Sequence, residues 1–143
     1  MKDQIIIPGK GISPEKIFEI IDQIFDIERK VEMINEPNSI QRNINRLKES
    51  FGNIFTRSNE FDIGYIYENP LGESYDATRI NVEANITGES TENLVITEVI
   101  KPIIRYKNLS IQDGPKINSV VRPGVVVVES KKNMEDKKNE WFN

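Results

Sequence analysis

The sequence predicts an α+β protein in which a helical hairpin precedes a small antiparallel β domain. Apolar residues recur every three or four positions over residues 17–54, which is the spacing of a helix face, whereas apolar and polar residues alternate over 79–86, as in a strand. The chain has 143 residues, enough for one ordinary domain or two small ones. We predict four segments: a flexible lead-in over 1–12, the hairpin over 13–61, the β domain over 62–130 and a charged, disordered tail over 131–143.

The first helix is predicted to begin at Pro14. Ser13 before it has a side-chain oxygen that can cap the helix, and a proline at the first helical position loses no hydrogen bond. Pro37 disfavours a helical residue before it, so the first helix ends there and one of the two polar residues that follow caps the second. Gly52 lies inside the second helical pattern and costs it about 1 kcal/mol relative to alanine. We therefore expect the second helix to bend or end at Gly52.

The apolar faces of the two helices form a seam of the heptad type, and two helices alone cannot bury it. We expect a second copy of the hairpin to cover the seam, so that the protein is a homodimer joined by a four-helix bundle. The alternative is that the rest of the same chain covers it. A second apolar strip, with Phe18, Ile21, Phe25 and Phe55, indicates that each helix touches two neighbours. The predicted dimer residues are Ile17, Ile20, Ile24, Ile27, Val31, Ile40, Ile44, Leu47 and Phe51.

The β segment is predicted from alternation and turn residues. Residues 79–86 form a half-buried strand that has Ile80 on its inner face, and residues 94–100 form a more buried strand. Pro102 cannot donate to a central ladder, so pairing stops or moves to an edge there. Four consecutive valines at 125–128 are typical of a strand that is covered on both faces.

Composition excludes several functions. The formal charge of −4 gives no electrostatic reason to expect nucleic acid. Cys and His are absent, which removes disulfides, the usual zinc sites, thiol nucleophiles and the commonest general base, so we expect no metal and no cofactor. No apolar run is long enough for a signal peptide or a membrane span, which predicts a cytoplasmic protein.

Acidic residues near the turn after the hairpin are the remaining candidates for catalysis. Asp62, Glu68, Glu73 and Asp76 are close in sequence, and two of them could form an acid and base pair. Acids in loops are more often solvated charges or turn caps. The composition therefore favours a binding protein over an enzyme, with an enzyme that uses Glu73 and Asp76 as an alternative.

Several motifs, taken in order, resemble the GrpE family of nucleotide exchange factors for DnaK-type chaperones. They are the hairpin, PLGESYD at 70–76, ITEVIK at 96–101 and VRPGVVVV at 121–128. The resemblance implies a homodimer whose β domain binds the chaperone's ATPase domain and favours its open cleft, so that ADP leaves faster. It also implies that Val99 and Val128 contact the chaperone, together with Lys101 and Arg122.

The sequence departs from the family pattern in ways that change the expectation. Only about a dozen residues precede the hairpin, so the family's long stalk helix and its contacts are expected to be missing. Ile80 lies near the place of a frequent histidine, and Gly124 replaces the commoner alanine. The segment 107–120 is about ten residues longer than usual. These departures indicate a divergent member of the family, or a dimeric adaptor with the same fold and another partner.

Overall fold

The computed structural model describes residues 13–34, 39–56, 62–109 and 116–132, and within them two helices precede seven strands. The α+β class is therefore confirmed. The predicted lead-in and nearly all of the predicted tail lie outside the described residues. The elements are α1 (Pro14–Glu32), α2 (Ile40–Gly52), β1 (Ile63–Glu68), β2 (Ser74–Tyr75), β3 (Val82–Thr87), β4 (Leu94–Lys101), β5 (Ile103–Asn108), β6 (Ile117–Arg122) and β7 (Gly124–Ser130).

The ends of the helices follow the local signals in the sequence. The Ser13 hydroxyl oxygen accepts a hydrogen bond from the Lys16 backbone N–H at 3.3 Å, and α1 begins at Pro14 as predicted. Helix α2 begins directly after Ser39 and ends at Gly52, as predicted, but the Ser39 side chain makes no capping hydrogen bond. No helix of the described residues is long and apolar enough to cross a membrane.

Strands β4 to β7 form one long antiparallel hairpin that bends at two prolines. β4 pairs with β7 and β5 pairs with β6, while Pro102 and Pro123 interrupt the two arms near the same point. The bend divides the hairpin between a three-stranded sheet with the order β1-β5-β6 and a four-stranded sheet with the order β2-β4-β7-β3. The prediction that pairing changes at Pro102 is confirmed.

The four-stranded sheet is mixed, so the prediction of a purely antiparallel β domain is wrong. β3 and β7 are parallel, with Val82 opposite Gly124 and Ile86 opposite Val128. The reason is that β7 lies between β3 and β4. Because β7 is antiparallel to β4 and parallel to β3, the two strands on either side of it run in opposite directions.

The predicted inward position of Ile80 is also wrong. Strand β3 begins only at Val82, and 91% of Ile80 is exposed. A turn replaces the start of the predicted strand, since the Arg79 backbone N–H donates to the Asp76 carbonyl at 3.0 Å.

Helix α1 shares a hydrophobic core with the β segment. The ring of Phe25 packs edge-on against Tyr67, with their centroids 5.8 Å apart, and Phe18 packs in the same way on Tyr65. Phe18, Ile21 and Phe25 of the second apolar strip are therefore covered by the same chain, whereas Phe55 is 46% exposed. The core combines Phe25 with seven buried strand residues: Val82, Leu94, Ile96, Val99, Ile103, Val126 and Val128.

Candidate protein-binding surfaces

The predicted dimer seam is divided between a buried part and an exposed part. Ile24, Val31 and Ile44 are buried between the two helices, and Phe51 packs against them. Six other aliphatic residues are 43–48% exposed, and they recur every seven positions along each half of the hairpin. We name them the helix stripe: Ile20, Ile27, Ile34, Ile40, Leu47 and Ile54.

The helix stripe lies on one side of the hairpin. Each helical residue is rotated by about 100° from the last, so on both helices the stripe lies to the same side of the contact between Ile24 and Ile44. Glu28 and Lys48 lie to the other side, where the Tyr67 hydroxyl donates to Glu28 at 2.8 Å. The stripe therefore faces away from the β segment.

The two valines predicted as partner contacts lie in the core. Val99 is 3% exposed and Val128 is 0% exposed. Their side chains cannot reach a partner, so this prediction is wrong. The reason is the two-residue period of a strand, which places Val126 and Val128 on the inner face and their neighbours Val125 and Val127 on the other.

The outer side of the four-stranded sheet, named here the sheet face, is where a partner could bind. The strand register places Glu83, Val125 and Lys101 side by side in one row, and Asn85, Val127 and Glu98 in the next. The valines in the middle are half-buried and the residues beside them are exposed. A flat surface with an apolar centre and a charged rim has the composition of a protein interface.

The predicted contacts Lys101 and Arg122 meet at a groove between α1 and the bend of the hairpin. The groove has a volume of about 210 Å³ and is lined by Glu15, Phe18, Glu19, Asp22, Lys101 and Arg122. Lys101 is exposed and has no ion pair with any other described residue. It is therefore available to a partner.

Arg122 has a different role. Its two terminal nitrogens each donate to a carboxylate oxygen of Asp22 at 2.7 Å, and one also donates to the Pro102 carbonyl. Arg122 thus ties α1 to the bend, and the partner contact expected for it stays a prediction. Arg29 provides a second tie by donating to the Val99 carbonyl at 2.7 Å.

Glu28 is the centre of a polar cluster where α1, α2 and β1 meet. Its carboxylate accepts hydrogen bonds from the Tyr67 hydroxyl, the Gln41 amide and the Lys48 ammonium. Burial acts to raise the pKa of Glu28, but these hydrogen bonds outweigh burial and lower it. Burial and the Glu28 carboxylate raise the pKa of Tyr67 strongly. Both groups serve to hold the helices on the sheet.

Each of the four acids considered for catalysis has a partner within the chain. Asp62 pairs with Lys107, Glu68 with Arg105 and Glu73 with Arg79. Asp76 accepts hydrogen bonds from the hydroxyl and the backbone N–H of Thr78, which lower its pKa. A general acid at neutral pH needs a raised pKa, so Asp76 is poorly suited to that role. Among the residues that the structure describes, no cluster of three acidic, His or Cys side chains could hold a metal ion.

Comparison with known proteins gives no assignment: no protein-family model matches the chain, and neither a curated protein nor a solved structure matches it.

Proposed function

We propose that this protein is a GrpE-type nucleotide exchange factor, a homodimer that binds the ATPase domain of a DnaK-type chaperone and accelerates the release of ADP. Such a protein needs no catalytic group of its own. It acts by binding the open form of the nucleotide cleft more tightly than the closed form, which shifts the chaperone towards release. The resemblance in motif order gives the proposal its partner.

The structural observation that supports the proposal is that one chain has exposed apolar residues on two separate surfaces. The helix stripe offers six exposed aliphatic residues on the side of the hairpin away from the β segment. A second hairpin packed on it would complete a four-helix bundle. The sheet face lies on the β segment and stays accessible in such a dimer, because it belongs to a different surface.

The sheet face supports a specific choice of contact residues. Val127 takes the place of Val128, since it is the neighbouring valine that points outward. Lys101 keeps its predicted role, because it lies at the edge of the sheet face and at the groove. These two residues are the contacts we propose.

The proposal is tested by the rate of fluorescent ADP release from a DnaK-type chaperone of the same organism, with and without this protein. Wild type should accelerate release. Val127→Asp and Lys101→Glu should each raise the protein concentration needed for half of the effect by about tenfold or more. Val127→Asp removes an apolar contact, and Lys101→Glu reverses a charge at the interface. Met33→Asp and Arg46→Glu are the controls, since both residues are exposed and belong to the helical hairpin, not to the sheet face. An unchanged rate with wild type would refute the function.

A dimeric adaptor for another protein is the second candidate. It is favoured by the burial of Val99 and Val128, because these are the two positions that the GrpE resemblance assigns to the chaperone. The same assay separates the candidates. An adaptor forms the dimer but leaves the release of ADP unchanged with each chaperone of the organism.

A further inference from the structure

Ile80 is the most exposed large apolar residue of the described chain, with 91% of its surface accessible. It lies in the loop between β2 and β3, just before the sheet face begins. The Asn81 carbonyl next to it accepts a hydrogen bond from the Gly124 N–H at 3.0 Å, which places the loop at the Lys101 end of the four-stranded sheet.

The loop that presents Ile80 is braced by its neighbour Arg79. The guanidinium of Arg79 donates to the Asn81 amide oxygen at 2.7 Å, to the Ser74 carbonyl at 3.0 Å and to the Glu73 carboxylate at 2.7 Å. Only 20% of the Arg79 side chain is exposed. The loop is thus fixed on both sides of Ile80 by hydrogen bonds that do not involve Ile80 itself.

A single exposed aliphatic residue is ordinary on a protein surface. An exposed residue in a loop that is already fixed, however, can bind at a lower entropic cost. Binding a partner normally has a free-energy cost, because loops and side chains at the interface become ordered. The hydrogen bonds of Arg79 have already fixed this loop in the free protein. The apolar surface of Ile80 is therefore available for binding with little ordering cost.

Charges around Ile80 indicate which kind of pocket it fits. Asp76 and Glu83 are exposed carboxylates in the same loop and at the start of the sheet face, and neither has an ion pair within the described residues. Glu73 is neutralised by Arg79. Lys101, in the same row as Glu83, offsets one of these two charges. The loop and this end of the sheet face therefore keep a net charge of −1, which favours a partner with basic side chains near an apolar pocket.

We propose that Ile80 is an anchor residue, which inserts into an apolar pocket with a basic rim on the ATPase domain of the chaperone. This inference rests on the proposed function and extends it, because the anchor adds a second point of attachment beside the sheet face. Val127 and Lys101 lie on the sheet face, and Ile80 lies in the loop that leads into it.

The test measures binding of the full-length protein to the ATPase domain by titration calorimetry. Ile80→Asp should weaken binding by about ten- to a hundredfold, and Ile80→Val should bind nearly as tightly as wild type. Met33→Asp is the matched control, because Met33 is 80% exposed, accepts the same change and lies at the end of α1. All variants should melt within a few degrees of wild type, since neither residue is buried and a carboxylate at the C-terminal end of α1 costs less than about 1 kcal/mol.

Two failures can be told apart in this experiment. If wild type binds and Ile80→Asp binds equally well, the anchor is refuted and the proposed function stands. If wild type does not bind, the proposed function fails and the assignment of this partner to Ile80 fails with it. A loss that Met33→Asp shares with Ile80→Asp would also overturn the anchor, because it would reflect added charge alone.

Discussion

Gly64 lies where β1 passes the end of α2, and the crowding there allows no side chain. A Cβ on Gly64 would lie 2.7 Å from the Gly52 carbonyl carbon and would also overlap the Phe51 carbonyl oxygen. Both are backbone atoms that cannot rotate away. We expect Gly64→Ala to lower the free energy of unfolding by about 3 kcal/mol, at the upper end of overpacking effects.

Gly72 provides the control for this prediction, because its constraint is of another kind. Its φ is +84°, and a Cβ on Gly72 would have no other atom within 4 Å, so Gly72→Ala introduces only backbone strain. Such strain costs about 1–2 kcal/mol. Urea unfolding of both variants measures the difference, and a smaller loss for Gly64→Ala than for Gly72→Ala would contradict the crowding.

Single residues whose effect is local were predictable from the sequence. Ser13 and Pro14 set the start of α1, and Gly52 and Pro102 end their elements, because each changes the hydrogen bonding of its own backbone. Which of the four valines at 125–128 face the core was not predictable. Four identical residues contain no polar position that tells which pair faces water, and a shift of one residue exchanges the faces.

At the scale of the elements, the Glu28 cluster joins both helices to β1, and it makes stability depend on pH. The pKa of Glu28 lies below its ordinary value of 4.5 in the folded protein. A lowered carboxylate pKa contributes stability that is present above the unfolded value and is lost as the pH falls through the folded value. We therefore expect wild type to lose this contribution as the pH falls below about 4.5.

The comparison of Glu28→Gln with wild type isolates this contribution. Other acids, including Asp26 and Asp76, also have lowered pKa values and add to the acid sensitivity of both proteins. Melting temperatures measured from neutral to acidic pH should therefore fall less steeply for Glu28→Gln than for wild type. Glu49→Gln, on the exposed side of α2, should follow wild type. Parallel curves for Glu28→Gln and wild type would refute the role of the cluster.

The existence of the elements was more predictable than their pairing. Periodicity predicted both helices and the strands β3 and β4, since each pattern depends on neighbours along the chain. The parallel pair of β3 and β7 was not predictable, because it depends on which strand enters between β3 and β4. Periodicity also predicted two apolar strips on the hairpin without showing that Phe18, Ile21 and Phe25 are the ones that pack on the β segment.

At the scale of the whole molecule, the helix stripe is a regular apolar surface that the described residues leave exposed. We expect Leu47→Glu and Ile27→Glu to separate the proposed dimer into monomers. Both side chains are about half exposed in the single chain, so the helices should keep their far-UV circular dichroism. In a two-fold symmetric dimer each substitution is present twice. Burying the exposed half of each side chain contributes about 0.7–1.5 kcal/mol, so losing two such contacts raises the dissociation constant by about ten- to a hundredfold.

Sedimentation equilibrium measures this change directly. Met33→Glu is the control, because it adds the same charge to the same hairpin at a residue outside the helix stripe. A wild type with the mass of one chain, or a Leu47→Glu variant that stays dimeric, would contradict the four-helix bundle.

The monomeric variants also show whether the sheet face needs the helix stripe in order to act on the chaperone. If the monomeric variants still bind the chaperone ATPase domain with wild-type affinity, the sheet face and Ile80 act within one chain, and the dimer serves to present two such surfaces.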